Sequence, residues 1–260
     1  MNPEAYLEMA DTESRHWWFS GRRAILSHLI GTLNLPINSK ILEIGSGTGG
    51  NLQMLSSFGQ VSALEMDATA RAIAIKKTGD RFDIRLGFCP TDIPFTGEKF
   101  DLICLLDVLE HIDGDIETLI ATKMLLAEGG RVLVTVPAYS WLWSTHDVFL
   151  HHKRRYSAVE FRNKISASGF EPEKISFFNT ILFPLAAIVR LKDKLLRNSS
   201  ASGNSMPPAL INRFFATLYG EERYLLAKMN LPFGVSLLGV LSRKNLATKV
   251  APRNLHKPLS

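Results

Sequence analysis

The stretch Lys40-Ile41-Leu42-Glu43-Ile44-Gly45-Ser46-Gly47-Thr48-Gly49-Gly50 decides how this chain is read. Its first residues predict an apolar strand running into a turn with glycines at alternate positions, and Asn51 to Phe58 reads as the helix that follows. Glycine is needed where a ligand lies against the backbone at the carboxyl end of a strand, because a side chain there would block it. Gly45, Gly47 and Gly50 alone satisfy the loose G-x-G-x-x-G dinucleotide pattern, so glycine spacing does not choose the ligand. Two carboxylates narrow the choice. Glu43 stands just before the first glycine, and Glu65 closes the next apolar run, Val61-Ser62-Ala63-Leu64. Glu65 falls about 20 residues beyond Gly45, where a carboxylate can hold the hydroxyls of a ribose.

Outward from this stretch, strand-like and helical patterns alternate. Residues 20 to 34 predict an amphipathic helix with Ser20 as N-cap and Ile25, Leu26, Leu29, Ile30 and Leu33 on one face. Asp67 caps a helix running to about Lys77, and Phe82–Leu86 is a third strand. The nearly all-apolar fourth strand, Phe100–Leu106, suits a sheet covered on both faces. A helix from about Asp115 to Leu126 ends in Gly129-Gly130, and Arg131–Val136 is the fifth strand. This alternation predicts an α/β fold with a parallel, doubly wound sheet. Residues 138 to 156 read as a long aromatic and basic loop. Ser157 and Glu160 form a capping box opening a helix that Gly169 ends. Phe170–Phe178 is a further strand, followed by an apolar helix from Asn179 to Arg197 interrupted by Pro184. Asn198–Ser205 has linker composition, residues 209–229 predict a helix, and Phe233–Leu241 suits a final strand.

With 260 residues, the chain is long enough for one large α/β domain with additions. A net charge of +5 and a pI near 9.2 suit an acidic substrate, nucleic acid or an anionic membrane without choosing among them. The two cysteines, Cys89 and Cys104, lack metal-ligand spacing, so neither disulfides nor zinc are expected. The polar, acidic N-terminus lacks the order of a secretory signal, and no apolar run reaches the roughly 18–20 residues that span a bilayer. The expected location is the cytoplasm, with the inner face of the membrane as a place of work.

A Glu-x-Gly-x-Gly-x-Gly core followed by a second carboxylate resembles motif I of the class I S-adenosylmethionine (SAM)-dependent methyltransferases. The resemblance covers roughly residues 40 to 180. It implies a Rossmann-like, mostly parallel seven-stranded sheet whose last strand inserts antiparallel, here as a hairpin of Phe170–Phe178 with Phe233–Leu241. It divides the chain into an N-terminal helical cap or lid (1–38), a SAM-binding core (39–178), a helical insertion (179–230) with a mobile linker near 198–208, the final core strand (231–244) and a loose tail (245–260). The cofactor implied is SAM. Glu43 and the turn residues Gly45, Ser46, Gly47 and Gly49 would face its amino-acid part, and Glu65, beside Met66, its ribose. Asp92 with Ile93 would lie near the adenine, and Asp107 would line the methyl-transfer site. A carboxylate can accept two hydrogen bonds from a vicinal diol, which Gln or Ala cannot match. Asp92 has an alternative duty as a turn cap.

Three segments carry candidate substrate chemistry. His111, in Asp107-Val108-Leu109-Glu110-His111, either touches substrate or is held by a nearby acid as a structural histidine. The segment Arg15–Arg23 holds paired tryptophans that are costly to expose. It reads either as a lid bringing Trp17, Arg22 and Arg23 to the substrate or as a clamp packing the N-terminal helix. The loop after the fifth strand emerges at the carboxyl edge, where ligands bind in this fold class. It offers His146, Asp147 and His152 as bases, Lys153, Arg154 and Arg155 as cations, and Tyr139 and Tyr156 as aromatic walls. The alternative for its charges is a solvated face. No metal is expected of His146, His151 and His152, which lack soft partners or a His-x3-His helix. The pattern His152-Lys153-Arg154-Arg155-Tyr156 resembles uncharacterised bacterial methyltransferases of cell-surface glycan and lipid pathways.

The expected reaction is methyl transfer from SAM to a small or amphiphilic acceptor, including a lipid-linked or glycan-related one. Two other functions use the same features: an NAD-dependent oxidoreductase on the same glycine turn, and a non-catalytic SAM-fold binding protein. Glu43 and the lack of a Tyr-x-x-x-Lys pair argue against the first, and the polar loop argues against the second. Nucleic acid is disfavoured, because the basic residues form no extended stripe with interleaved aromatics. The uncharged run Ile175–Val189, leading into Arg190, Lys192, Lys194 and Arg197, suits an interfacial helix. The helix at 209–218, with Leu210, Ile211, Phe214, Phe215 and Leu218, would be its partner. Packing on the core or a homo-oligomer interface is the alternative use of that face.

Overall fold

The computed structural model describes residues 3–196 and 206–244. Its strands are β1 (Lys40–Ile44), β2 (Gln60–Glu65), β3 (Asp83–Leu86), β4 (Phe100–Leu106), β5 (Leu126–Pro137), β6 (Phe170–Phe178) and β7 (Ser236–Arg243). They form one seven-stranded sheet in the order β3-β2-β1-β4-β5-β7-β6. The first five pair in parallel, and β7 inserts antiparallel between β5 and β6. This is the doubly wound, mostly parallel Rossmann-like sheet expected from the alternation of elements, with the expected terminal hairpin.

Alternation along the strands builds a core on each face. Leu42, Ile44, Ile103, Leu105, Val132 and Val134 point to one side. Ile41, Ala63, Leu102, Cys104 and Leu133 point to the other. On that second side lie α2 (Trp17–Gly31), α9 (Ala209–Gly220) and α10 (Glu222–Lys228), which bring Ile25, Leu26, Tyr219 and Leu226 to the same core. The first side takes Leu119 of α5 (Asp115–Leu125) and Phe161 of α7 (Ala158–Ala167). The insertion is fixed to the N-terminal cap: Asn212 of α9 accepts from the Trp17 amide at 2.7 Å and donates to the Arg15 carbonyl at 2.8 Å. A Cβ on Gly21 would come within 2.6 Å of the Tyr219 ring, so only glycine allows that approach.

Local sequence sets several boundaries as read. Asp67 accepts from the amides of Thr69 and Ala70 at the start of α4 (Ala68–Thr78), and Ser157 accepts from the Glu160 amide at the start of α7. Others differ. The helix expected over 51–58 is only α3 (Leu52–Leu55). Leu126 enters β5 directly after α5, and its pairing jumps from Phe100–Leu126 to Leu102–Arg131, so Gly129-Gly130 sits in a bulge instead of ending a helix. Pro184 does not interrupt α8 (Phe183–Leu196). It lies in the first turn, where no amide donor is needed. The helix expected over 209–229 is two helices, α9 and α10. The expected loop 138–156 contains a 3-10 turn at Ser140–Leu142 and the short α6 (Thr145–Phe149). The linker at 198–205, the cation Arg197, the side chain of Lys194 and the tail 245–260 lie outside the described residues. An unforeseen helix, α1 (Pro3–Thr12), lies within the N-terminal cap, ahead of its expected helix.

Candidate active site

Strand order reverses at β1, which lies between β2 and β4, and the crevice at their carboxyl ends is where ligands bind in open α/β sheets. The Gly45–Gly49 turn leaves β1 here with φ of +72° at Gly45, +54° at Gly47 and +82° at Gly49. A Cβ on Gly45 would stand 2.7 Å from a Val108 methyl, which ties the turn to the segment after β4. Behind the turn, Glu43 is buried and accepts from Asn51 Nδ2 at 2.8 Å, joining the end of β1 to the residue that opens α3. Burial pushes the Glu43 carboxyl up to about 8, against the Asn51 hydrogen bond and nearby Arg22.

Glu65, at the end of β2, accepts from the Gly47 amide at 2.6 Å through Oε2 and from the Asp67 amide at 2.9 Å through Oε1. Burial raises its carboxyl, and these backbone donors oppose the shift. Each oxygen retains lone-pair capacity for a further donor, as a vicinal diol requires. The neighbouring Ser46 hydroxyl is buried without a partner, and the open face of Gly47 meets only Met9 Sδ, 4.0 Å from where a Cβ would stand. These features form a cradle that fits the ribose and amino-acid parts of SAM. Met66 and Asp92 stay exposed at the same edge, and Ile93 packs against the core below.

α1 covers this cradle. Tyr6 lies buried beside Glu65 and Asp67, and burial, then these two acids, push its phenol up. Glu13 accepts from Thr48 Oγ1 at 2.6 Å and pairs with Lys77 of α4. The side chains that lie against the turn are therefore Tyr6, Met9 and Glu13, ahead of the aromatic segment in which the lid was expected. Trp17 packs on Phe215 and Tyr219 at 5.6 and 6.1 Å between ring centroids, the clamp alternative. Arg22 is buried, pairs with Asp107 at 2.8 Å and donates to Thr135 Oγ1 at 2.7 Å. Arg23 donates to the carbonyls of Glu13 and Ser14. Both arginines expected to meet a substrate anion thus serve the frame of the site.

The loop after β5 hangs on Asp147. Fully buried, it accepts five hydrogen bonds: from the Ser144 amide and hydroxyl, from His152 Nδ1 at 2.9 Å, and from Arg155 Nε and Nη2 at 2.8 and 3.1 Å. Burial alone would raise its carboxyl, but the bonds from His152 and Arg155 hold it well below the usual range. Arg155 also donates to the Ala138 carbonyl at 3.0 Å, so its buried guanidinium anchors the loop and is not the expected anion contact. Tyr156 is likewise no substrate wall: it is wholly buried and its hydroxyl donates to Asp115 at 3.0 Å. Lys153 and Arg154 pair with Asp113 and Asp115. Tyr139 does present an aromatic face, stacked on Phe177 at 5.2 Å and 14°.

His111 and His152 meet edge to face with centroids 4.8 Å apart. Burial, then the neighbouring His152, lowers His111 to about 4. His146 is lowered to about 4 by burial, then by nearby Arg190, and its Nδ1 has no partner. Glu110, fully buried beside His111 and His152, is raised well above the ordinary carboxyl value by burial and then by Asp107. The expected residues His111, Asp147 and His152 are thus brought together, with His146 following Thr145 at the start of α6. Glu13, Tyr6 and Glu110 were not singled out from sequence. Thr135 was also missed, although a lone hydroxyl in the apolar run Val132–Val136 is a readable signal.

A doubly wound sheet with a glycine turn, a ribose-type carboxylate on the next strand and a polar loop after β5 defines the class I SAM-dependent methyltransferase architecture. The family model for the methyltransferase domain matches residues 17–180, more than half of the chain, and the protein belongs to that family. It is a SAM-dependent methyltransferase, and its cofactor is SAM. No curated protein matches it by sequence. Among solved structures, it resembles a chain of the complex between the Haloferax volcanii Trm112 methyltransferase activator and the putative methyltransferase. There the identity is 18%, the coverage 94% of this chain and 95% of that one, and the TM-score 0.58. A TehB-like SAM-dependent methyltransferase from Corynebacterium glutamicum has 17% identity, 84% and 87% coverage and a TM-score of 0.53. Geranyl diphosphate C-methyltransferase from Streptomyces coelicolor has 13% identity, 84% and 75% coverage and a TM-score of 0.56. At these identities the likeness is one of fold.

Proposed function

We propose that this methyltransferase acts on an amphiphilic, lipid-linked acceptor at a membrane surface, and that the reacting group meets the His111–His152 corner. SAM supplies an electrophilic methyl on its sulfonium, so the chain chiefly aligns the acceptor and removes its proton. Glu65 would hold the ribose hydroxyls, and the turn Gly45–Gly49 the amino-acid end. Asp107, fixed by Arg22 and Thr135, would shape the wall between cofactor and acceptor. His152, held at Nδ1 by Asp147, presents its other nitrogen to take the proton.

One observation supports the amphiphilic acceptor: apolar side chains are exposed beside the loop that carries these groups. Phe183 at the start of α8 contacts Tyr139, Trp141 and Phe233 at 5.8, 6.1 and 5.6 Å. Beyond it, Leu185, Ile188, Val189 and Leu191 of α8 are exposed, as are Leu210, Ile211 and Phe214 of α9, with Lys192 and Arg213 on the same helices. Apolar residues with neighbouring cations are what an interfacial helix brings to anionic lipid. No helix among the described residues is long and apolar enough to cross a membrane. Glycan-related and small soluble acceptors are the other outcomes of supplying methyl-labelled SAM with separated lipid, glycan and metabolite fractions.

Two results are expected. Calorimetry should show that the chain binds SAM in preference to NAD, and that Glu65→Ala weakens SAM by about 1.5–3 kcal/mol, the range for hydrogen bonds to a charged group. Tight NAD binding without a SAM signal would overturn the cofactor roles. In flotation assays the protein should rise with anionic vesicles in a salt-sensitive way, and a Leu185→Glu, Ile188→Glu, Phe214→Glu variant should stay behind. A wild-type protein that never floats, or that buries this face in a dimer, would sink the membrane reading.

A further inference from the structure

We propose that Glu110, His111 and His152 form a binding site for a first-row divalent cation of the Zn2+ type. The proposal rests on the preceding reading only in placing the cation at the acceptor end of the crevice. One ligand atom from each residue lies within 4.8 Å of the others. Donors on one Zn2+ at about 2.0–2.2 Å stand roughly 3.3–4 Å apart, so small side-chain rotations close the set.

The strongest sign is Glu110. Its side chain is fully buried, and neither carboxylate oxygen has a hydrogen-bond partner. A carboxyl group left so is costly unless something positive or donating meets it. The arginines nearby are committed elsewhere, Arg155 to Asp147 and Ala138 and Arg22 to Asp107 and Thr135.

His152 is prepared in the way a metal-binding histidine is. His152 holds the Asp147 carboxylate through Nδ1, leaving Nε2 to face the cluster. The His111 ring meets that of His152 edge to face, with centroids 4.8 Å apart, and offers a ring nitrogen to the same cluster. The carboxylate behind His152 fixes its tautomer and orientation and raises the basicity of the free nitrogen. Two imidazoles and one carboxylate suit Zn2+ or Fe2+ better than Mg2+ or Ca2+, which prefer oxygen donors. Three protein ligands also leave a position open, where an acceptor oxygen would be polarised. In the loaded form the cation, and not His152, would activate that oxygen by lowering the pKa of its hydroxyl, so that the proton passes to solvent before the oxygen takes the methyl from SAM.

The test uses the untagged full chain, stripped with a chelator and then given Zn2+ alone. Bound metal is counted after gel filtration, and affinity is measured by competition with a chromogenic chelator. One Zn2+ per chain is expected. His111→Gln, His152→Gln and Glu110→Gln should each weaken it by more than the roughly 10–100-fold that loss of an outer partner costs. Circular dichroism and SAM binding identify variants that keep their fold. No stoichiometric uptake, or uptake unchanged in every folded variant, overturns the proposal. Failure to take up Zn2+ with SAM binding intact removes the cation and leaves the methyltransferase reading standing.

Discussion

Asp147→Ala is expected to lower the stability of the protein by about 3–5 kcal/mol, the cost of breaking a buried ion pair by removing one partner. The variant leaves Arg155 charged, buried and bonded only to the Ala138 carbonyl. It also frees His152 and the Ser144 turn that opens α6. Asp147→Asn should recover part of the loss, because an amide keeps the shape but cannot accept both guanidinium bonds as an anion does. Urea denaturation, with the slope held in common, measures the difference. Its pH dependence has a definite sign. The folded carboxyl lies below its unfolded value of roughly 3.9, so its contribution is fully present above that pH. It fades as pH falls through the lower, folded value. The gap between wild type and Asp147→Ala should therefore narrow in acid. A loss under about 1 kcal/mol at neutral pH, the median worth of exposed pairs, would show that the loop does not hang on this residue.

The geometry around the glycine turn was largely legible because its signals are local. The glycine turn, Glu65 and the Asp67 cap lie within a single β-α-β stretch, and backbone geometry alone ties them together. The substrate side was legible in its elements and not in its pairings. Arg22, Arg155 and Tyr156 have the residue types of a binding surface, yet each is spent on a partner that no local motif announces: Asp107 and Asp115 far along the chain for Arg22 and Tyr156, and Asp147 across the same loop for Arg155. Sequence reveals charge but not which charge answers it, and in a folded core an answered charge is structural. Glu13 shows the converse. Nothing near it marks it, because its partners Thr48 and Lys77 meet it only once α1 lies across the turn. The splitting of the 209–229 helix escaped for a third reason. Both halves are apolar at helical spacing, and the break at Gly220 and Glu221 lets Glu222 reach back to the Ile181 amide at 2.6 Å.

His152→Ala is expected to cut turnover by about 10²–10⁴-fold, the usual contribution of a positioned acid or base, while SAM affinity changes little. The separation follows from placement. The contacts proposed for SAM's ribose and amino-acid parts lie on β1, β2 and their turns, whereas His152 stands on the loop after β5, tied to Asp147 and facing His111. Removing the ring leaves Asp147 with Arg155 as its partner, so the loop keeps its main anchor and the fold should survive. Chemistry would then be lost without loss of the cofactor cradle. The same holds whether the imidazole takes the proton itself or holds a cation that polarises the acceptor. The two differ in rescue: added Zn2+ should raise the activity of stripped wild type and not that of His152→Ala. Single-turnover methyl transfer from labelled SAM, with SAM affinity measured in parallel, reads both quantities. Equal loss of SAM binding and transfer would make His152 a structural residue. Full activity in the variant would remove the loop after β5 from the chemistry altogether.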